Sequence, residues 1–320
     1  MNSTFPMLIR REIWEHKSLW IAPLVWVGLI TLFFNWAMLH VPDGGNSGIK
    51  IDGRPVGELS LDNQQKQQVQ QALNMPEERK ESVFAVSYLA IFGLISVFMT
   101  IVVFFYLIDC LYTERKDRSI LFWKSLPVSD TNVVLSKLAV ALLVVPIGVI
   151  LLSAVTQFVN YLTASAILHD TVIGQMFPDW SFSAWLRSQA IAFGVMLGGV
   201  LWYAPIAGYL LLLSSWAKNK VFLWAILPPI ALPVLEKVFL QSDHVLDFLG
   251  RRFTGYIELM KVDPNAFEAG TNDRLPAVDD VYNAFHLSNM FTSVEMWLGV
   301  AAGAAMVFVA IRIRRYRDES

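Results

Sequence analysis

Six stretches of this chain are apolar for longer than an element of a soluble core needs to be. Residues 19–40 form a run of 22 and residues 83–111 a run of 29, with others at 132–166, 186–214, 221–239 and 296–313. A helix rises about 1.5 Å per residue, so roughly 20 apolar residues cross the hydrocarbon of a bilayer. Inside hydrocarbon no water is present to satisfy the backbone, and a helix satisfies itself. The expected fold is therefore an all-α polytopic membrane protein with six transmembrane helices. Charged residues make up 16% of the chain, against roughly 25% in soluble domains, and the deficit falls in these runs. The first run is too long for a signal-peptide core and lacks a small-residue cleavage site, so it reads as a retained span.

Lysine and arginine set the orientation, because cytoplasmic flanks carry their excess. With the N-terminus inside, segments 1–18, 112–137, 215–220 and 312–320 hold 14 of them in 59 residues. The opposite segments, 41–82, 169–187 and 241–295, hold 10 in 116, while acidic residues divide 7 against 18. Both termini are thus expected in the cytoplasm, with two sizeable periplasmic excursions at 41–82 and 241–295. The first excursion opens on turn chemistry (Pro42, Asp43, Gly44, Gly45) and contains a helix-like stretch at 59–73. The second has such stretches at 245–253 and 278–285.

Residues 1–18 place Phe5, Leu8, Ile9 and Ile13 on one stripe and Arg10, Arg11, Glu12 and Glu15 opposite. That pattern predicts an amphipathic interfacial helix with its apolar face in the acyl boundary. At the other end Arg312, Arg314, Arg315 and Arg317 read as an anchor to anionic headgroups, with 314–320 as a cytoplasmic tail. Pro228, Pro229 and Pro233 predict a kinked or broken fifth span. Gly194, Gly198 and Gly199 allow close helix approach, read here as packing within the chain.

Catalytic sets are hard to assemble. The glycine-rich stretch 44–50 lacks the spacing, the following Ser/Thr and the helix of a phosphate loop, so any ATP hydrolysis belongs to another chain. Asp243, His244 and Asp247 have metal-ligand chemistry but no second cluster, and read as a solvated face. The single cysteine, Cys110, reads as a small buried hydrophobe. Asp109 sits beyond the hydrocarbon, hydrated or paired with Arg115, while Glu236 and Lys237 snorkel at the end of the fifth span. No carboxylate lies in mid-membrane, which argues against an ion-coupled carrier.

Residues 112–131 stand apart. Glu114, Arg115, Lys116, Asp117 and Arg118 open the segment, and Ile120, Leu121, Phe122, Trp123 and Leu126 form an apolar patch. Pro127 then stops any helix, and Ser129 or Asp130 can cap the next one. The run Glu114–Ile120, followed by Ser125-Leu126-Pro127-Val128-Ser129 and Ser136-Lys137, resembles the permease subunits of ABC-2 type (type V) exporters. In that family a charged run closes the second span, a short coupling helix follows, and a lysine opens the third span.

The resemblance implies a half-transporter in the bacterial inner membrane, pairing with an identical or homologous permease chain on two separately encoded ABC ATPase subunits. ATP and Mg would sit on those ATPases, with no cofactor in this chain and no nucleic acid among its partners, which include membrane lipids. The docking element would map onto Glu114, Arg115, Asp117, Arg118, Ile120, Phe122, Trp123 and Leu126. A cavity lined by spans one, two and five would place Asn35, Thr100 and Phe104 as candidate lining residues. The cargo would be amphipathic, lipid-like or peptide-like. The large excursions favour a second reading, a mechanotransmitter that regulates an envelope partner without cargo. A membrane enzyme or carrier working alone is the third.

Overall fold

The computed structural model describes residues 4–40, 50–51, 54–55, 77–120, 125, 128–169, 180–260, 279, 283 and 285–316. Six helices are long and apolar enough to cross a membrane. Helix α1 (Thr4–Glu15) leads into α2 (Ser18–Leu39). A minimal antiparallel ladder follows, β1 (Lys50–Ile51) on β2 (Arg54–Pro55), within the first excursion. Then come α3 (Glu77–Asp109), the short α4 (Tyr112–Lys116) and α5 (Asp130–Leu168). The remainder comprises α6 (Phe182–Trp202), α7 (Ala204–Trp216), α8 (Val221–Leu240), α9 (His244–Met260), α10 (Leu287–Phe291) and α11 (Val294–Tyr316). The stretches 59–73 and most of 278–285 lie outside the described residues, whereas 245–253 falls inside α9.

Proline explains the irregular places. The fourth span, expected as one helix, is split at Tyr203, and Pro205 stands in the first turn of α7. Proline is tolerated there because the first-turn N–H groups have no helical partner. Within α5 a π turn covers Val140–Val144 immediately before Pro146. The ring removes the N–H that would bond the Leu142 carbonyl, and a widened turn accommodates the gap. In the fifth span the break is not seen, since α8 runs continuously through all three prolines. Pro228 cannot donate to the Trp224 carbonyl, and the Tyr209 hydroxyl of α7 donates to it instead at 2.9 Å. A neighbouring helix thus supplies the missing bond, as membrane interiors require.

Glycines set the closest helix approach. A side chain on Gly208 would meet the Gly303 carbonyl oxygen at 2.6 Å, and one on Gly303 the Ala204 carbonyl at 2.7 Å. So α7 and α11 touch backbone to backbone. Gly194, Gly198 and Gly199 face Leu287, Met290 and Tyr256, which is packing within the chain. The core gathers Ile95, Leu107, Val134 and Leu211 from α3, α5 and α7, with Leu111 from the link between α3 and α4. By contrast most of α2 and α8 is exposed, with Leu32, Phe33, Val238 and Phe239 each about two-thirds or more uncovered.

At the end of α8, Glu236 accepts from the Ser242 hydroxyl (2.7 Å) and from the His244 and Val245 amides (3.1 and 2.6 Å). It caps α9 rather than snorkelling, while Lys237 pairs with Asp243 at 3.0 Å. Among the described residues no group of His, Cys, Asp and Glu could hold a metal ion.

Candidate functional site

The segment that opens at Tyr112 starts where α3 stops. The Leu111 and Tyr112 amides both donate to the Ser214 hydroxyl at 3.0 and 3.1 Å, which satisfies two free donors at the start of α4. Arg115 donates to the Ser214 and Ala217 carbonyls at 2.6 and 2.8 Å. A guanidinium there suits the negative end of α7. Of the two readings of Asp109, hydrated or paired with Arg115, its exposed position agrees with the first.

Behind this segment lies a buried ionic hub. Lys137, fully covered, donates to both Glu12 oxygens at 2.8 Å and lies 3.0 Å from Glu114. Glu114 also pairs with Arg11 at 2.8 Å and Arg314 at 2.6 Å, and Arg314 reaches Asp130 at 3.1 Å. Arg11 closes the set on Glu12 at 2.6 Å, and the Tyr106 hydroxyl donates to Glu12 at 3.2 Å. Three carboxylates (Glu12, Glu114, Asp130) thus face three cations (Arg11, Lys137, Arg314). Buried charge is tolerated where it is paired and hydrogen-bonded, and here the formal charges cancel.

The groups at the α1 edge respond accordingly. Burial disfavours the charged Arg11, but Glu12, Glu114 and Glu15 outweigh it and hold its pKa above the ordinary value. His16, edge-on to Tyr106 with ring centres 4.8 Å apart, has its pKa lowered by burial and by Lys137, against the pull of Glu12.

The hub joins α1, the segment after α3, the start of α5 and the end of α11, so both chain ends described converge on one end of the bundle. Two expectations change as a result. Leu8 and Glu12 are the inward residues of α1, so its protein-facing side carries a carboxylate and the helix is not simply split into apolar and charged faces. Arg314, only 4% exposed, is a hub cation rather than a lipid anchor.

Of the candidate docking residues, Asp117 and Arg118 are exposed, and Arg118 has a positive φ of 57°. Glu114 and Ile120 face inward at 6% and 3% exposure, and Arg115 is half-buried on α7. Glu114 is turned toward the helices behind the segment, where its ion pairs lie. Phe122, Trp123 and Leu126 lie outside the described residues. Ser129 provides the cap of α5, accepting from the Asn132 amide at 3.2 Å, which leaves Asp130 for Arg314.

The three candidate lining residues are spread along α2 and α3. Trp26 stacks on Phe98 at 4.8 Å, and the antiparallel register then puts Asn35 level with Leu89. That is about 16 Å along the helix from Thr100 at 1.5 Å per residue. Asn35 and Thr100 each donate to the carbonyl four residues back, and Phe104 packs against the core.

Sequence reasoning missed Glu12, Asp130, Tyr106 and Arg314 as one unit, although a signal existed. Glu12 lies seven residues after Phe5, on the same stripe. Arg314 likewise continues the buried line Val307, Ala310 of α11. A charge that continues an apolar stripe near a span end demands a partner of opposite sign.

Residues 82–197 match the family model of the ABC-2 family transporter protein. The matched region, a little over a third of the chain, covers most of α3, the segment 112–131, α5 and much of α6. This portion is similar to the membrane domain of ABC-2 family transporters, which supports an ABC permease, a component of membrane transport. No curated protein and no solved structure matches the chain.

Proposed function

We propose that the chain is the permease subunit of an ATP-driven exporter in a bacterial inner membrane, with both termini in the cytoplasm. It works as a dimer with an identical or homologous chain, on two separately encoded ATPases that hold the ATP and Mg. The observation that carries this reading is the hub behind segment 112–131. An element that receives a push must be tied rigidly to the helices it moves. Here Glu114 is tied to α1 through Arg11, to α5 through Lys137 and to α11 through Arg314. Arg115 adds α7. A displacement of the segment is then shared by four elements, and the ATPase biases the transport states by contacting them differently.

In this reading Asp117, Arg118 and Trp123 meet the ATPase, and Glu114 transmits. The cargo is an amphipathic, lipid-like or peptide-like compound. The test is co-purification of the tagged chain with the products of its neighbouring genes, followed by ATPase assay in nanodiscs. Arg118→Glu and Trp123→Ala should release the ATPase while the permease stays folded. If the wild-type chain brings down no ATPase, or both changes leave the complex and its turnover intact, the reading falls.

A further inference from the structure

Helix α1 lies along α5, against both its opening turns (Asp130–Ala139) and the π turn Val140–Val144 that follows. The contact side is the stripe that reads as apolar in the sequence. Leu8 and Glu12 are buried there, and Phe5, Ile9 and Ile13 are half-buried. That stripe therefore faces the bundle, and a different one looks away from it. Met7, Arg10 and Trp14 follow at spacings of three and four, which keeps them on one face. Lys17 continues the line at the bend into α2. Met7 and Trp14 are 67% and 65% exposed, and Arg10 and Lys17 are exposed as well.

The charge on this outward face has one sign. Both carboxylates of α1 are engaged elsewhere, Glu12 by Lys137 at 2.8 Å and Glu15 by Arg11 at 3.1 Å. Arg10 and Lys17 therefore set its potential. The face also alternates cations with large apolar side chains, a composition suited to the boundary where phosphates lie over acyl chains. Its position agrees. The exposed line runs on from Lys17 into Trp20, Ile21 and Leu24 of the spanning helix α2, which are 44%, 43% and 53% uncovered. Those residues begin the apolar wall of a span, so the turn before them lies at headgroup level. An acidic protein surface would match the two cations but not their continuity with the wall of α2.

We infer that Met7, Arg10, Trp14 and Lys17 form a seat for anionic lipid headgroups. The thioether and the indole enter the acyl boundary, and the guanidinium and ammonium meet phosphate. Arg314, expected as the lipid anchor, is committed to the hub, and α1 takes that part instead. The seat bears on the hub as well. The inner side of the same helix brings Glu12 to Lys137 and Arg11 to Glu114. Lipid that binds α1 only where it lies on the bundle stabilises that placement by mass action, so anionic lipid should hold the hub together. The inference rests on the packing of α1, and it and the ATPase reading can each fail without the other.

The test uses the full-length chain alone in nanodiscs of phosphatidylcholine, with or without phosphatidylglycerol, and follows amide exchange at Leu8–Ile13. Two cations near an anionic surface should slow exchange by about tenfold or more when phosphatidylglycerol is present. Arg10→Gln with Lys17→Gln should cut that effect to less than about threefold and leave exchange in pure phosphatidylcholine as in the wild type. Equal exchange in the two lipids, or a lipid effect that survives the double change, overturns the proposal. So does an equal slowing by inorganic phosphate in phosphatidylcholine discs, which would mark a site for a soluble anion. A second measurement needs no change of charge. A bimane on Met7→Cys, in a Cys110→Ala background, should be quenched more strongly by a lipid carrying a nitroxide near the top of its acyl chain than by iodide in water. The reverse order would place the face in water, and weak quenching by both would place it against protein; either result overturns the proposal.

Discussion

Replacing Lys137 by methionine tests the hub most directly. Methionine keeps the length and apolar character of the stem, so packing is largely retained and the charge is what disappears. Lys137 has three short contacts, two of 2.8 Å to Glu12 and one of 3.0 Å to Glu114. At an effective dielectric of about 20, each unit-charge pair at that distance attracts by about 5–6 kcal/mol before desolvation is subtracted. Removing one member of a buried pair typically costs about 3–5 kcal/mol, because the other charge is left stranded. The lower end applies here: Glu12 keeps Arg11 and Tyr106, and Glu114 keeps Arg11 and Arg314. The expected loss for Lys137→Met is therefore about 3 kcal/mol. Adding Glu12→Gln removes the stranded charge and should restore about half of that, a coupling within the range seen for residues in contact. Unfolding by SDS in mixed micelles, followed by tryptophan fluorescence, gives both numbers. A single-variant loss under about 1 kcal/mol, or a double variant whose loss is the plain sum, would refute the stranded-charge reasoning.

Other outcomes follow from the same geometry. Gly208→Ala and Gly303→Ala press a methyl group on backbone and should each cost about 1–3 kcal/mol. Gly194→Ala meets only the end of Leu287 and should cost less in the same unfolding assay. His16 has a folded pKa below the ordinary value of 6.5, so the unfolded chain binds the proton more readily. Stability should then fall as pH drops through about 6.5, and His16→Gln should flatten that slope between about pH 7.5 and 5.5; an unchanged slope would exclude His16 as its source. Glu236→Ala uncaps α9 and should give faster amide exchange at His244 and Val245 with α11 unaffected.

Much of the fold was legible in the sequence because each spanning helix meets its own requirement. An apolar run of sufficient length solves the backbone problem locally, whatever its neighbours do. Four of the six long apolar helices therefore begin and end within a few residues of the apolar runs, while α3 extends back to Glu77 and α6 stops at Trp202, where the fourth run is split. The charged segment at 112–118 and the cap at Ser129 were equally plain, since capping chemistry acts over three or four residues.

What lay beyond the sequence was everything set by distant pairs. Glu12, Glu114, Lys137 and Arg314 are separated by up to 302 positions, and no local pattern says that they meet. Whether a proline breaks a helix also depends on a neighbour: Tyr209 supplies the bond Pro228 cannot make, and α8 stays whole. The fate of a charge at a span end follows the same logic. Arg314 and Asp117 look alike as flanking charges, yet one is nearly buried and the other exposed. Composition determined that the chain crosses a membrane and where, because transfer into hydrocarbon depends on each run alone. The tertiary structure decided which charges are internal ties and which stay exposed, because that depends on which groups packing brings into contact.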